Sequence, residues 1–208
     1  MAKLYFRYGA MNSGKSTSLL QAAYNYEERG HQVLIAKPAV DAKGDNNVVS
    51  RLGVSRAVDF IIKPEANMMK RFAAARSRTL QARGKDVSCL FIDEAQFLSE
   101  AQVDDLIRIV LLQNIPVIAY GIRTDFLTMA FPGSRRLLEI AHSIEELKTI
   151  CRCGRKAMFN ARKLGNAFVF DGQQLAIEGL NADYESLCGI CYLQESGGML
   201  AQRQKTSV

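Results

Sequence analysis

The sequence predicts an α/β fold, a parallel sheet flanked by helices, with a small cysteine-held lobe at its C-terminal end. Three observations carry that prediction. Apolar runs alternate with helix-forming segments as far as about residue 147, the rhythm of strand–helix–strand crossovers. Gly9-Ala10-Met11-Asn12-Ser13-Gly14-Lys15-Ser16 fits the pattern G-x-x-x-x-G-K-S/T at every fixed position. Four of the five cysteines, Cys151, Cys153, Cys188 and Cys191, fall into two tight pairs in the last third of the chain. Together they describe a P-loop NTPase-like sheet joined to a zinc-containing lobe.

The elements follow in order. Residues 4–8 are an apolar run that reads as a strand, and residues 15–29 read as a helix that Gly30 stops. Residues 32–37 form the next strand, ended by Pro38. Residues 41–53 are rich in Gly, Asn and Asp and read as a mobile loop. A short strand is expected within 55–62, and a helix over 65–83, closed by Gly84. Residues 87–93 are a strongly apolar strand. Ser99 with Gln102 three residues on is a capping box, so a helix should run to about Gln113. Residues 115–121 are the next strand.

The pattern changes after Leu147. Short strand-like pieces at 157–162, 167–170 and 174–177 are broken by Gly and Asp, and a helix is expected around 184–193. This part is too small for a substantial apolar core and needs a staple. The boundaries read as residues 1–147 for the nucleotide-binding domain, 148–194 for the zinc lobe and 195–208 for a disordered polar tail.

Composition narrows the function. A chain of 208 residues, 48% hydrophobic, buries a full core. No apolar run approaches the ~18 residues of a membrane span, and no signal peptide is visible. The expectation is a cytoplasmic protein with no membrane partner. The net charge of +6 suits polyanionic nucleotides. The positive residues are scattered rather than clustered, so nucleic acid is not expected as a partner. In a cytoplasmic chain the cysteines argue against a disulfide framework. Cys89 stands alone in an apolar run and reads as a small buried residue.

The motifs supply chemistry. Glycines let the loop curl so that its N–H groups converge on phosphate oxygens. Lys15 reaches the β- and γ-phosphates, and the Ser16 hydroxyl can ligate Mg²⁺. Leu90-Phe91-Ile92-Asp93-Glu94 is an apolar strand ending in an acidic pair, the Walker B arrangement. Asp93 can reach Mg²⁺ at the strand end, and Glu94, one step on, can take a proton from an attacking hydroxyl. The spacing C-x-C then C-x-x-C lets four thiolates close a tetrahedral Zn²⁺ site with no open position, a structural site.

G-x-M-x-S-G-K-S, D-E-x-Q-F, G-x-x-x-D-F and C-x-C…C-x-x-C, in that order, resemble the thymidine kinase family of the cytosolic, zinc-containing type. The match runs from Leu4 to about Tyr192; Met11 in the loop and Gln96-Phe97 after the acidic pair set it apart from generic P-loop ATPases. The resemblance implies ATP and thymidine as substrates, Mg²⁺ with the ATP, a structural Zn²⁺ and a homotetramer. It implies that Glu94 is the catalytic base and that Gly9 to Ser16, Asp93 and Asp41 hold triphosphate and metal. It places Met11, Gln96, Phe97, Phe126, Phe131 and Tyr184 around the nucleoside, with Arg162 near its phosphate-acceptor end. A lid, or lasso, at about 166–184 should read the base through backbone groups. Two departures from the family pattern stand out. Lys43 replaces an arginine, and Glu178 replaces the first of two glycines. Two alternatives stand beside this reading: a kinase for another nucleoside such as deoxycytidine, and a P-loop ATPase whose zinc lobe binds DNA or RNA.

Overall fold

A computed structural model describes residues 1–39, 46–172, 182–198 and 200. In chain order the elements are β1 Leu4–Tyr8, α1 Lys15–Glu28, β2 Gln32–Pro38, β3 Asn47–Val49, β4 Ser55–Ala57, β5 Phe60–Ile62, α2 Met68–Arg83, β6 Val87–Ile92, a 3₁₀ turn Ala95–Phe97, α3 Glu100–Gln113, β7 Val117–Gly121, α4 Pro132–Ile140, β8 Ser143–Glu146, β9 Thr149–Ile150, β10 Lys156–Ala157, β11 Phe159–Leu164, β12 Ala167–Val169, β13 Ala182–Leu187 and α5 Gly189–Glu195.

Six strands form one sheet in the order β5-β2-β6-β7-β1-β8, and every neighbouring pair in it is parallel. Successive side chains of a strand point to opposite faces, and the core divides accordingly. On one face Leu34, Leu90, Ile92 and Val117 pack under α2, α3 and α4, through Phe72, Leu106, Ile109 and Leu137. On the other face Val33, Ile35, Cys89, Phe91 and Tyr120 pack under α1, through Leu19, Leu20 and Ala23. Cys89 is fully buried there, as its apolar surroundings in the sequence suggested. With both faces covered, the central strands read as continuous apolar runs. Among the described residues no helix is long and apolar enough to cross a membrane.

The caps agree with the sequence reading. Both halves of the Ser99–Gln102 capping box are formed, and Gly84 closes α2 in the left-handed region at φ +64°. Other boundaries move. The helix expected over 65–83 starts at Met68, because the Asn67 side chain accepts from the Lys70 N–H and caps it there. The region expected as a loop over 41–53 contains β3, which pairs antiparallel with β4. The single strand expected within 55–62 is two strands, β4 and β5, in different sheets.

The smaller unit beyond β8 is antiparallel. β11 lies between β12 and β13, and β9 pairs with β10. Its core is Cys151, Ala157, Ala161, Leu187, Cys188, Cys191 and Tyr192, with Phe159, Phe168 and Phe170 packed against it. The helix expected over 184–193 is corrected here. Residues 182–187 are extended and pair in register with β11 from Phe159↔Leu187 to Leu164↔Ala182. The helix begins only at Gly189, after Cys188. The strand expected at 174–177 lies outside the described residues, as do 201–208 of the tail.

Candidate active site

The phosphate loop joins the C-terminal end of β1 to the N-terminus of α1. Gly14 caps α1 in the left-handed region at φ +77°, a conformation that costs glycine little. Gly9 is needed for space: a Cβ there would lie 2.3 Å from Ser13 Oγ and 2.5 Å from the Leu147 carbonyl oxygen. The Ser13 hydroxyl is buried and has no hydrogen-bond partner among the described residues. A buried hydroxyl left unpaired in the loop fits a site completed by a phosphate oxygen. The first turn of α1 carries no acidic residue, so nothing on the helix competes with an anion for its N–H groups.

Lys15 is buried and folded back. Its Nζ donates to the Ala10 carbonyl at 2.9 Å and lies 3.5 Å from that of Gly9. Burial pushes its pKa below the ordinary lysine value, and the carboxylates of Glu94 and Asp93 oppose that push. β7 stands between β1 and β6 in the sheet, yet the two motifs meet at the strand ends. The Ser16 hydroxyl lies 3.5 Å from Asp93 Oδ2. Asp93 is itself fixed, its N–H donating to the Ala36 carbonyl at 2.9 Å. A serine hydroxyl and a carboxylate at that spacing are hard oxygen donors of the kind Mg²⁺ takes.

At Glu94 the chain turns out of β6 through a left-handed residue at φ +49°. The Glu94 carboxylate accepts a hydrogen bond from the Gln96 side-chain amide. Gln96, expected among the nucleoside contacts, is 2% exposed and turned inward. The Phe97 and Phe131 rings meet edge to face at 5.6 Å. The Arg162 guanidinium carbon lies 3.8 Å from the centroid of the buried Phe126 ring. Tyr184 is the register partner of Arg162 across β11 and β13. Asp41 and Lys43 lie outside the described residues, as do Glu178 and the rest of 173–181 in the segment expected as the lid.

Three side chains that the sequence reading did not single out tie the small unit to the phosphate loop. The Met11 N–H donates to Asn160 Oδ1 at 2.7 Å, and the Met11 carbonyl accepts from the Ser186 hydroxyl. The Asn12 carbonyl accepts from the Thr149 hydroxyl at 3.4 Å. Asn160 also donates to the Thr124 carbonyl at 2.9 Å, and Tyr192 donates its phenolic proton to the Phe126 carbonyl at 2.7 Å. Burial pushes the Tyr192 phenol up to about 12. The one signal in the sequence is that Asn160 shares an inward strand face with Arg162, two residues on, a poor place for an unpaired amide.

The four cysteines come together. Their sulfurs all lie within 4.8 Å of one another, and those of Cys153 and Cys188 are 3.5 Å apart. A tetrahedron with Zn–S bonds of about 2.3 Å has edges of about 3.8 Å, so the group fits one such ion. The Cys191 backbone N–H draws the Cys188 thiol down to about 6, the direction a metal-binding thiolate requires. The Cys191 thiol, donating to the neighbouring sulfurs, is pushed up to about 12.

A family model described as thymidine kinase matches residues 2–192 of this chain. A thymidine kinase of Idiomarina loihiensis is 50% identical over 192 residues, covering 90% of this chain and 94% of the relative. One from Enterobacteria phage T4 is 45% identical over 190 residues, covering 90% and 94%. One from Legionella pneumophila strain Paris is 44% identical over 208 residues, covering 99% and 96%.

Proposed function

Since the chain belongs to the thymidine kinase family, we propose that it transfers the γ-phosphate of ATP to the 5′-hydroxyl of thymidine, and of deoxyuridine. One observation carries the chemistry. Ser16 on the phosphate loop lies 3.5 Å from Asp93 at the end of β6, and Glu94 follows Asp93 directly on the turn. A triphosphate held by the loop therefore ends beside a carboxylate free of the loop's own bonds.

The loop Gly9, Ala10, Met11, Asn12, Ser13 and Gly14 curls around the phosphate oxygens and offers them the Ser13 hydroxyl and the N–H groups not already donated within the fold, as those of Met11 to Asn160 and Gly9 to Gly121 are. Lys15 exchanges the carbonyls of Gly9 and Ala10 for the β- and γ-phosphates. Ser16 and Asp93 would hold Mg²⁺, which when bound offsets charge on the phosphate oxygens. Glu94 accepts the 5′-hydroxyl proton as that oxygen bonds to the γ-phosphorus and the bond to the bridging oxygen of ADP breaks. Most of the rate comes from position and charge rather than covalent chemistry. Met11, Phe97, Phe126, Phe131 and Tyr184 shape the nucleoside pocket, and Arg162 faces the acceptor end.

In this reading residues 1–147 carry the nucleotide and 148–194 the structural Zn²⁺ and the lid, with the tail of 195–208 beginning only after α5 ends at Glu195. Four thiolates close the zinc site, so the ion shapes the lobe and takes no part in turnover. The proposal includes a cytoplasmic homotetramer, by family resemblance, with no nucleic-acid partner. A coupled assay of ADP release with Mg-ATP over the common deoxynucleosides tests it. Thymidine should be the preferred acceptor. ATP hydrolysis stimulated by nucleic acid, with no nucleoside phosphorylated, would contradict it.

A further inference from the structure

A proton acceptor must be held at one orientation. Gln96 holds Glu94 so. Its amide is fixed from the far side by the Ile122 N–H, which donates to Gln96 Oε1 at 3.1 Å. A backbone N–H only donates, so the oxygen end of the amide must face Ile122 and the NH₂ end must face away. The NH₂ end donates to Glu94 Oε2. Glu94 Oε1 is left for a substrate proton.

Gly121 makes the arrangement possible. A Cβ there would lie 2.8 Å from Gln96 Oε1 and 3.2 Å from the Gln96 backbone nitrogen. Gly121 is not among the residues with positive φ, so space, not backbone freedom, is what the glycine supplies. Gln96 is 2% exposed, so its amide is shielded from bulk solvent.

Of the charged groups nearby, Lys15 acts on Glu94 and shares it with Asp93, and the others have partners elsewhere. Lys15 on α1 interacts with both Glu94 and Asp93. Lys37 on β2 donates to the Asn47 carbonyl. On α4, Arg135 pairs with Glu100, and Arg136 with Asp104 and Glu139. A cation in place of Gln96 would hold the carboxylate more firmly and weaken it as a base. A neutral amide orients it through one hydrogen bond and adds no charge beside it.

We infer that Gln96 is a positioning residue for the Glu94 carboxylate, locked in its own orientation by the Ile122 N–H and the space left at Gly121. The inference rests on the reading of Glu94 as the base.

The test is the pH dependence of kcat for thymidine in three proteins: wild type, Gln96→Leu and Gln96→Glu. Gln96→Leu removes the donor. Its kcat should fall about 10²-fold at every pH, the scale of a misplaced reacting group, with KM for ATP unchanged. Gln96→Glu replaces the amide with a carboxyl of the same size. While the two carboxyls share one proton, the new group can still donate to Glu94. Its activity should therefore peak on the acid side, where the pair holds one proton, and fall as pH rises and that proton leaves. Wild type should show no such alkaline loss. A purely structural role would not produce recovery on acidification.

Gln96→Leu turning over at the wild-type rate overturns the inference, and so does a Gln96→Glu profile parallel to wild type. If thermal melting shows Gln96→Leu unfolded, the Gln96→Glu profile decides alone. Wild type that does not phosphorylate thymidine overturns both this inference and the proposed function. Normal wild type with indifferent variants overturns the positioning role alone.

Discussion

Glu94 occupies the left-handed region at φ +49° and ψ +40°, where a non-glycine residue is uncommon. That conformation turns the chain out of β6 just after Asp93, which lets the two adjacent carboxylates take the different roles proposed for them. Glu94→Gln keeps size and removes the proton acceptor. Its kcat should drop ~10²–10⁴-fold, while binding of a non-hydrolysable ATP analogue, measured by calorimetry, stays near wild type. Near-normal turnover would refute the assignment of the base. Gly9→Ala is the complementary case. Its Cβ would meet Ser13 Oγ at 2.3 Å and the Leu147 carbonyl at 2.5 Å. The loop must shift, and ATP-analogue affinity should fall with it; an unchanged Kd would show that the loop has slack. At this scale Lys15, Ser16, Asp93 and Glu94 were legible because each sits at a fixed spacing within a short motif. The orientation of Gln96 was not. It depends on the Ile122 N–H, 26 residues away, and no local pattern encodes that contact.

The elements that close the site come from two sheets. β9, β11 and β13 each place one side chain, Thr149, Asn160 and Ser186, on the backbone of Met11 or Asn12. The unit that holds the four cysteines therefore also sets the phosphate loop. Ser186→Ala should weaken ATP-analogue binding by about 5- to 10-fold, the scale of one lost hydrogen bond of ~1 kcal/mol. Asn160→Leu also leaves the Met11 N–H unpaired and should cost more. Unchanged analogue affinity in both variants would confine the small lobe's role to the nucleoside. Removal of zinc by a chelator should loosen β11 and β13 and lower affinity for ATP as well as thymidine. Metal analysis of the untreated protein should find about one zinc per chain, as a four-thiolate site implies. Pure, active, zinc-free protein would refute the staple.

Legibility at this scale followed the strength of the apolar signal. β6 and α3 are long and periodic and were read within a residue or two. α4 was missed, because Pro132-Gly133-Ser134 at its start reads as a turn although proline suits the first turn of a helix. β8 was missed because an edge strand needs no apolar run, and Ser143-Ile144-Glu145-Glu146 has none. β13 reads as helix from the sequence because its inward alternation is carried by polar residues: Ser186 is buried on the loop's carbonyl.

The whole molecule is a parallel sheet with its proposed catalytic groups at one end and a small antiparallel unit fastened to the phosphate loop there. In open α/β sheets ligands bind outside the carboxyl ends of the strands, and that end is where Ser16, Asp93 and Glu94 meet. The general order of strands and helices, the phosphate loop and the cysteine pairs were all legible from sequence, because each is a local pattern. The fastening of one unit on the other was not, since it is made of contacts between distant positions.

The central claim is that this assembly phosphorylates thymidine. A base-reading lid should pair with thymine N3–H and O4. Cytosine presents an acceptor and a donor where thymine presents the reverse. Each mispaired buried group costs ~1–3 kcal/mol, so deoxycytidine should be rejected by a factor of roughly 30 to 10⁴. Deoxyuridine lacks only the 5-methyl group and should lose about fivefold. The most direct test is kcat/KM with Mg-ATP for the three nucleosides. The account predicts thymidine first, deoxyuridine close behind and deoxycytidine far below. Comparable values for deoxycytidine and thymidine, or no transfer to thymidine at all, would contradict it.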